Sequence, residues 1–144
     1  MLKYEYEEFV QDIKTIINNL QERPDAIIAV ARGGLTPAHF ISLALDIREV
    51  YAINAVSYDD QKRSEVITVS NIPEIKNARN VLIVDEIIDS GRTMSKIYTI
   101  LNDKYGEINF KVATIFYKKS AEFTPDYYAK ETGEWVDFFW ERDT

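Results

Sequence analysis

Three short runs constrain this chain more than anything else in it. AIIAV (Ala26 to Val30), NVLIV (Asn80 to Val84) and FKVATIFY (Phe110 to Tyr117) are almost wholly apolar. A strand with one wet face alternates apolar and polar residues. A run without that alternation needs cover on both faces, which a parallel sheet between helical layers supplies. Segments of helical period stand between the runs. EEFVQDIKTIINNLQ places Phe9, Val10, Ile13, Ile16, Ile17 and Leu20 on one face. Thr36 before Pro37 reads as an N-cap with proline at the first helical position, opening a helix through HFISLALDI. MSKIYTILNDKY reads as a helix after the NVLIV strand. VYAINAVS (Val50 to Ser57) and EVITVS are further strands, and the polar stretch between them predicts a long, mobile hairpin. The expectation is α/β, with a mostly parallel sheet flanked by helices. A length of 144 residues suits a single domain, 1–144, with one core. The aromatic, acidic tail DYYAKETGEWVDFFWERDT has no clear period.

Composition excludes several chemistries. With no cysteine there is no disulfide framework, thiolate metal site or cysteine nucleophile, and His39 alone is too little for a histidine-based zinc site. A net charge of −7 disfavours nucleic acid as a partner. The N-terminus lacks an apolar signal core and no run approaches membrane-spanning length. A cytoplasmic protein with no membrane partner is the expectation.

Ligands of such sheets bind beyond the carboxyl ends of the strands, which selects the loops after Val30, Val84 and Tyr117. The middle loop carries the strongest signal. In VLIVDEIIDSGRT, Asp85 and Glu86 are expected to close the strand and, by alternation, to point to opposite sides. Asp89, Ser90, Gly91, Arg92 and Thr93 then enter a helix. Unpaired N–H groups at a helix start form an anion site. Ser90 and Thr93 add hydroxyl donors, and Gly91 permits close backbone approach. Acids beside a phosphate site make sense when the ligand also carries hydroxyls or a divalent cation. A capped helix with no ligand is the plainer alternative, and DSG alone would not exceed it. At the first loop, Arg32 beside Gly33 and Gly34 suits a second anion, or is simply a glycine turn.

The segment from Val81 to Thr93 resembles the phosphoribosyl-pyrophosphate (PRPP) signature of type I phosphoribosyltransferases: four hydrophobics, two acids, two hydrophobics, then Asp, Ser or Thr, Gly, any residue, and Ser or Thr. The resemblance extends over roughly residues 25–141, with Asp-Glu in place of the commoner acidic pairs. It implies that family's fold, with a C-terminal hood formed mainly by 122–144. Asp85 and Glu86 then receive the ribose hydroxyls, directly or through Mg²⁺, and the turn Asp89, Ser90, Gly91, Arg92, Thr93 holds the 5′-phosphate. Arg32, Gly33 and Gly34 hold pyrophosphate, with a cis bond implied between Ala31 and Arg32. Ser57 and Tyr58 match a flap, and Lys62 or Arg63 is its pyrophosphate-reaching base.

Resemblance to the purine enzymes assigns Lys118 to the O6 of a 6-oxopurine, Trp135 to stacking and Val136 to the exocyclic groups. Asp137 and Glu141 are placed near the base or metal. Left to themselves, the lysines at 118 and 119 read as solvated charges, and Trp135 and Trp140 as core or dimer contacts. The implied reaction joins PRPP and guanine, xanthine or hypoxanthine into a nucleoside monophosphate, in purine salvage, with Asp89 as proton acceptor at N7 or as an orienting group. The implied assembly is a dimer or tetramer. The alternatives are a nucleotide- or PRPP-sensing regulator of the same fold, and a transferase for another base.

Overall fold

The computed structural model describes residues 1–59 and 65–142; Lys62 and Arg63 lie outside the described residues. Strands β2 (Ala26–Ala31), β3 (Val50–Asp59), β4 (Glu65–Ser70), β5 (Asn80–Ile88), β6 (Asn109–Tyr117) and β7 (Tyr127–Glu131) form one sheet in the order β4-β3-β2-β5-β6-β7. All neighbours run parallel except β3 and β4, which form the expected hairpin. The three apolar runs are β2, β5 and β6, side by side at the centre. Residues 26–30, 81–84 and 112–117 are buried.

Helices α1 (Tyr6–Asn19) and α2 (Leu35–Leu45) pack on one face, where Phe9, Ile13, Ile16, Ala38 and Ile41 meet Ile27, Ala29, Leu82 and Val84. Helix α3 (Arg92–Lys104) covers the other, where Met94, Ile97 and Leu101 meet Ile28, Val81, Ile83 and Val112. Each central strand thus sends alternate residues into two cores, and this is why its sequence carries no polar phase. The chain leaves β2 toward β3 on one side and β5 toward β6 on the other. The loops after β2 and β5 therefore diverge and leave a crevice between them.

Two sequence expectations shift in ways that matter for the site. Strand β5 does not end at Val84. Its pairing with β2 stops at Ala29 opposite Val84, but β6 continues beside it to Ile88 opposite Tyr117. Asp85 and Glu86 therefore lie inside a strand with one free edge on the crevice. Helix α2 begins at Leu35 with Gly34 at its cap, ahead of Thr36. A Cβ on Gly34 would collide with the Val30 and Val84 carbonyls. Gly34 donates to Val30 O at 2.8 Å, and Ala38 returns a bond to Gly34 O at 3.0 Å. Tertiary packing thus starts the helix early, and Pro37 falls within the first turn, where its missing N–H is tolerated.

The segment expected to form the hood is divided between two sheets. Strand β7 joins the main sheet as its edge strand. Strand β8 (Val136–Phe138) pairs in parallel with β1 (Leu2–Tyr4) at the opposite end of the chain, and a short 3₁₀ turn (Phe139–Glu141) follows. Tyr4 is the keystone there. Its ring meets Phe9, Phe116, Phe138 and Trp140 edge-on. Its hydroxyl donates to Asp12 at 2.5 Å, and Lys130 reaches the same carboxylate at 3.2 Å. Burial and that carboxylate push the Tyr4 hydroxyl far above the ordinary phenol range.

Candidate functional site

Two adjoining clefts open at the carboxyl ends of β5 and β6. The first, about 180 Å³, is lined by Asp85, Glu86, Asp89, Ser90, Gly91 and Thr93, with Ile87, Ile88 and Met94. The second, about 220 Å³, is lined by Glu86, Ile87, Asp89, Lys118, Glu134, Trp135, Val136, Phe138 and Glu141. Glu86, Ile87 and Asp89 form the wall common to both. The sequence-predicted turn thus builds one cleft, and the residues suggested at the end of β6 and in the tail build the other.

The first cleft is shaped by backbone. Gly91 caps α3 at φ 88°, and a Cβ there would sit 2.6 Å from Phe123 N. The glycine is required by its left-handed conformation and by the chain passing beneath it, rather than by approach to a ligand alone. Ser90 Oγ accepts from Arg92 N at 3.2 Å, while Ser90 O accepts from Glu122 N at 2.8 Å. The hydroxyl expected to face a phosphate therefore caps the helix as well.

Asp85 and Glu86 are neighbouring acids whose carboxyls both sit in largely buried surroundings. They follow one another on β5, and Glu86 N donates to Asp85 Oδ1 at 2.8 Å. Burial first, and then the charge of Glu86, hold the Asp85 carboxyl well above its usual range. Glu86 is also pushed up, chiefly by burial, with Glu141 adding repulsion. The Glu86 carboxylate occupies the space a Cβ on Gly33 would take. That contact brings the Arg32–Gly34 loop against the acids across the crevice. The peptide between Ala31 and Arg32 is cis, as the resemblance implies. Arg32 is exposed at this rim.

The second cleft is made of side chains. Lys118 Nζ lies 2.8 Å from Asp89 Oδ1, so a donor and an acceptor stand together on the shared wall. Lys118 N donates to Ile88 O, continuing the ladder that aims the residue. Trp135 is 71% exposed above the cleft, and Val136 is buried beside it. Strand β1 holds both in place: Leu2 N donates to Trp135 O at 2.9 Å and Leu2 lies opposite Val136. Trp140 is half-buried and packs against the core, stacked on Phe138 at 4.7 Å.

Glu141 lines the cleft; Asp137 is not among the lining residues and is engaged by Arg142 Nε at 3.1 Å. Arg142 also reaches Glu5 Oε1 at 2.9 Å and the carbonyls of Tyr4 and Asp137. This clasp between the two ends of the chain carries no motif that a sequence reading could find. Ser57 and Tyr58 lie on β3, opposite Ile67 and Val66. Among the described residues, no group of three or more His, Cys, Asp or Glu side chains is placed to hold a metal ion. No helix among them is long and apolar enough to cross a membrane.

A mostly parallel sheet flanked by helices, with an acid pair, a glycine-capped helix start and a lysine-lined cleft beyond its strand ends, places the chain in the α/β class. The family model of the phosphoribosyl transferase domain matches residues 4–143, and the chain belongs to that family. It is similar to the solved xanthine-guanine-hypoxanthine phosphoribosyltransferase of Helicobacter pylori, with 41% identity and a TM-score of 0.91 over 99% of this chain and 94% of that one. It is 33% identical to a xanthine-guanine phosphoribosyltransferase of Cereibacter sphaeroides over 81% of this chain and 68% of the relative. A hypothetical protein from Neisseria gonorrhoeae, solved with bound ppGpp, is 26% identical with a TM-score of 0.77, covering 97% of this chain and 89% of that one. These relatives support a phosphoribosyltransferase of purine salvage.

Proposed function

We propose that this chain transfers the 5-phosphoribosyl group of PRPP to a 6-oxopurine, releasing pyrophosphate. The observation that carries the reading is the shared wall. Asp89 belongs to both clefts, with the Lys118 ammonium 2.8 Å from its carboxylate. A ribose 5-phosphate in the first cleft and a base in the second would meet across it. Lys118 donates to an exocyclic oxygen and cannot accept from an amino group, so adenine is a poor substrate. Trp135 covers the purine face.

In the reaction the C1′–oxygen bond to pyrophosphate breaks and the bond from C1′ to the base nitrogen forms. The Asp89 carboxylate orients or takes the purine proton. Arg32 and the Gly33 N–H beside it neutralise the departing pyrophosphate. Asp85 and Glu86 accept from the ribose hydroxyls. A pair of carboxylates is the donor set with which Mg²⁺ is held when it keeps its waters and shares substrate phosphates. These two residues would hold Mg²⁺, which supplies charge neutralisation at the leaving group.

The test is a spectrophotometric screen of guanine, xanthine, hypoxanthine, adenine, uracil and orotate with PRPP and Mg²⁺. Turnover of 6-oxopurines but not adenine supports the proposal, and efficient use of adenine overturns the role of Lys118. The Neisseria protein with bound ppGpp favours a second reading, a sensor of guanine nucleotides. No turnover of any base, together with tight guanine-nucleotide binding, would establish that reading instead.

A further inference from the structure

A buried hydroxyl without a partner stands beside one of the site's acids. Thr114 on β6 is fully buried, and among the described residues its Oγ1 has no hydrogen-bond partner. A buried polar group left unpaired is costly, and valine would fill the same space without that cost. The neighbours of Thr114 show what its hydroxyl serves. On β5, Val81 and Ile83 face α3 while Leu82 and Val84 face the other two helices, so alternation turns Asp85 toward α3. On β6, Phe110 and Val112 face α3, so Thr114 lies on that same side. Asp85 and Thr114 are partners in register. Neighbouring strands lie about 4.8 Å apart, so a side-chain rotation brings hydroxyl and carboxylate together. The rest of this cross-strand row is apolar or engaged elsewhere. Val30, one residue beyond the pair Ala29–Val84, is on the other side of Asp85. Tyr128 stands opposite Thr114 on β7, and its hydroxyl donates to Glu131 at 3.4 Å. Thr114 lines neither cleft; it stands behind the acid.

The structure assigns Thr114 as a positioning residue for Asp85, its hydroxyl turning to donate to the Asp85 carboxylate when a ligand engages that carboxylate from the cleft. Glu86 N supplies one donor, to Oδ1 at 2.8 Å. A second donor from behind fixes the plane of the carboxyl, so its outward lone pairs meet the ribose hydroxyls at a set angle. A hydrogen bond to an ionised group is stronger than one between neutral groups. The bond missing from the fold as it stands is then made on binding, and adds to affinity. This inference rests on the proposed function, since it takes PRPP as the ligand of the first cleft.

Thr114→Val and Thr114→Ser separate this role from packing. Thermal unfolding and calorimetric binding of PRPP with Mg²⁺ are measured for both and for the parent. Thr114→Val removes an unpaired hydroxyl at constant shape, so its unfolding midpoint should equal or exceed the parent's. PRPP should nevertheless bind it about 10-fold more weakly. Thr114→Ser keeps the hydroxyl and loses a buried methyl, so its midpoint should fall while PRPP affinity stays within about twofold of the parent's. A threonine that only packs does not move stability and affinity in opposite directions. Thr114→Val binding PRPP as tightly as the parent overturns the role of Thr114 and leaves the proposed function standing. So does Thr114→Ser binding as weakly as Thr114→Val. A parent that fails to bind PRPP overturns both.

Discussion

The two clefts do the same kind of work with different materials. The first cleft, the phosphate cleft of the proposed function, is backbone geometry held by continuous structure: one strand, one glycine cap and one helix start within Asp85 to Thr93. The second, the proposed base cleft, is side-chain geometry assembled from the end of β6 and a tail docked on residues Leu2–Tyr4. The first should therefore be intolerant of substitution but indifferent to the tail. The second should accept changes that retune it, and should loosen when the clasp behind it is cut.

The sharpest break of this comparison is at the acids. Asp85→Asn combined with Glu86→Gln should lower kcat/KM by about 1,000-fold through loss of ribose and metal-bearing contacts, measured under saturating base. The same variant tests the coupling. Both carboxyls are raised in the folded protein, so the native state keeps protons that the unfolded chain has already released. That penalty is absent below the ordinary carboxylate range and grows as pH rises through it. The double variant should therefore gain stability relative to the parent as pH increases from 4 to 8, read from denaturant midpoints.

Next in size, Lys118→Ala should raise the KM for a 6-oxopurine by about 30-fold, the scale of a lost charged hydrogen bond, while the KM for PRPP stays within about twofold. If both constants rise together, the two clefts are not separable. Gly91→Ala should cost about 2 kcal/mol of stability, from the left-handed conformation and the approach to Phe123, measured by thermal or urea unfolding. The smallest effect belongs to the clasp. Arg142→Met should lower the unfolding midpoint only slightly, because its ion pairs are partly exposed. It should raise the KM for the base by a few-fold while leaving PRPP binding unchanged.

Legibility in the sequence follows the same division. The turn from Asp85 to Thr93 could be read because its parts are consecutive, so a local pattern contains the whole strand, glycine cap and helix start. The three central strands could be read because burial on both faces removes every polar phase. The start of α2 could not, since Thr-Pro obeys a local capping rule that Gly34 overrides by packing against carbonyls of β2 and β5. The position of β5's end depended on β6 running on beside it. The base cleft was legible only one residue at a time, as Lys118 and Trp135. What holds it is an aromatic and ionic cluster of Tyr4, Asp12, Lys130 and Arg142, whose members lie more than a hundred residues apart in places. Pairing at that distance leaves no period to detect.

The pairing of β1 with β8 sets an order of events for a newly made chain. Tyr4 and its strand are synthesised well before their partners at 136–138. Until those arrive, Tyr4, Phe9 and Phe116 have an open side where Phe138 and Trp140 will lie. The phosphate turn has all its neighbours earlier, once Phe123 has passed beneath Gly91. A ribosome-bound chain should therefore acquire the phosphate cleft before the base cleft, with PRPP affinity preceding base affinity, because closing the longest loop is the slowest contact to make.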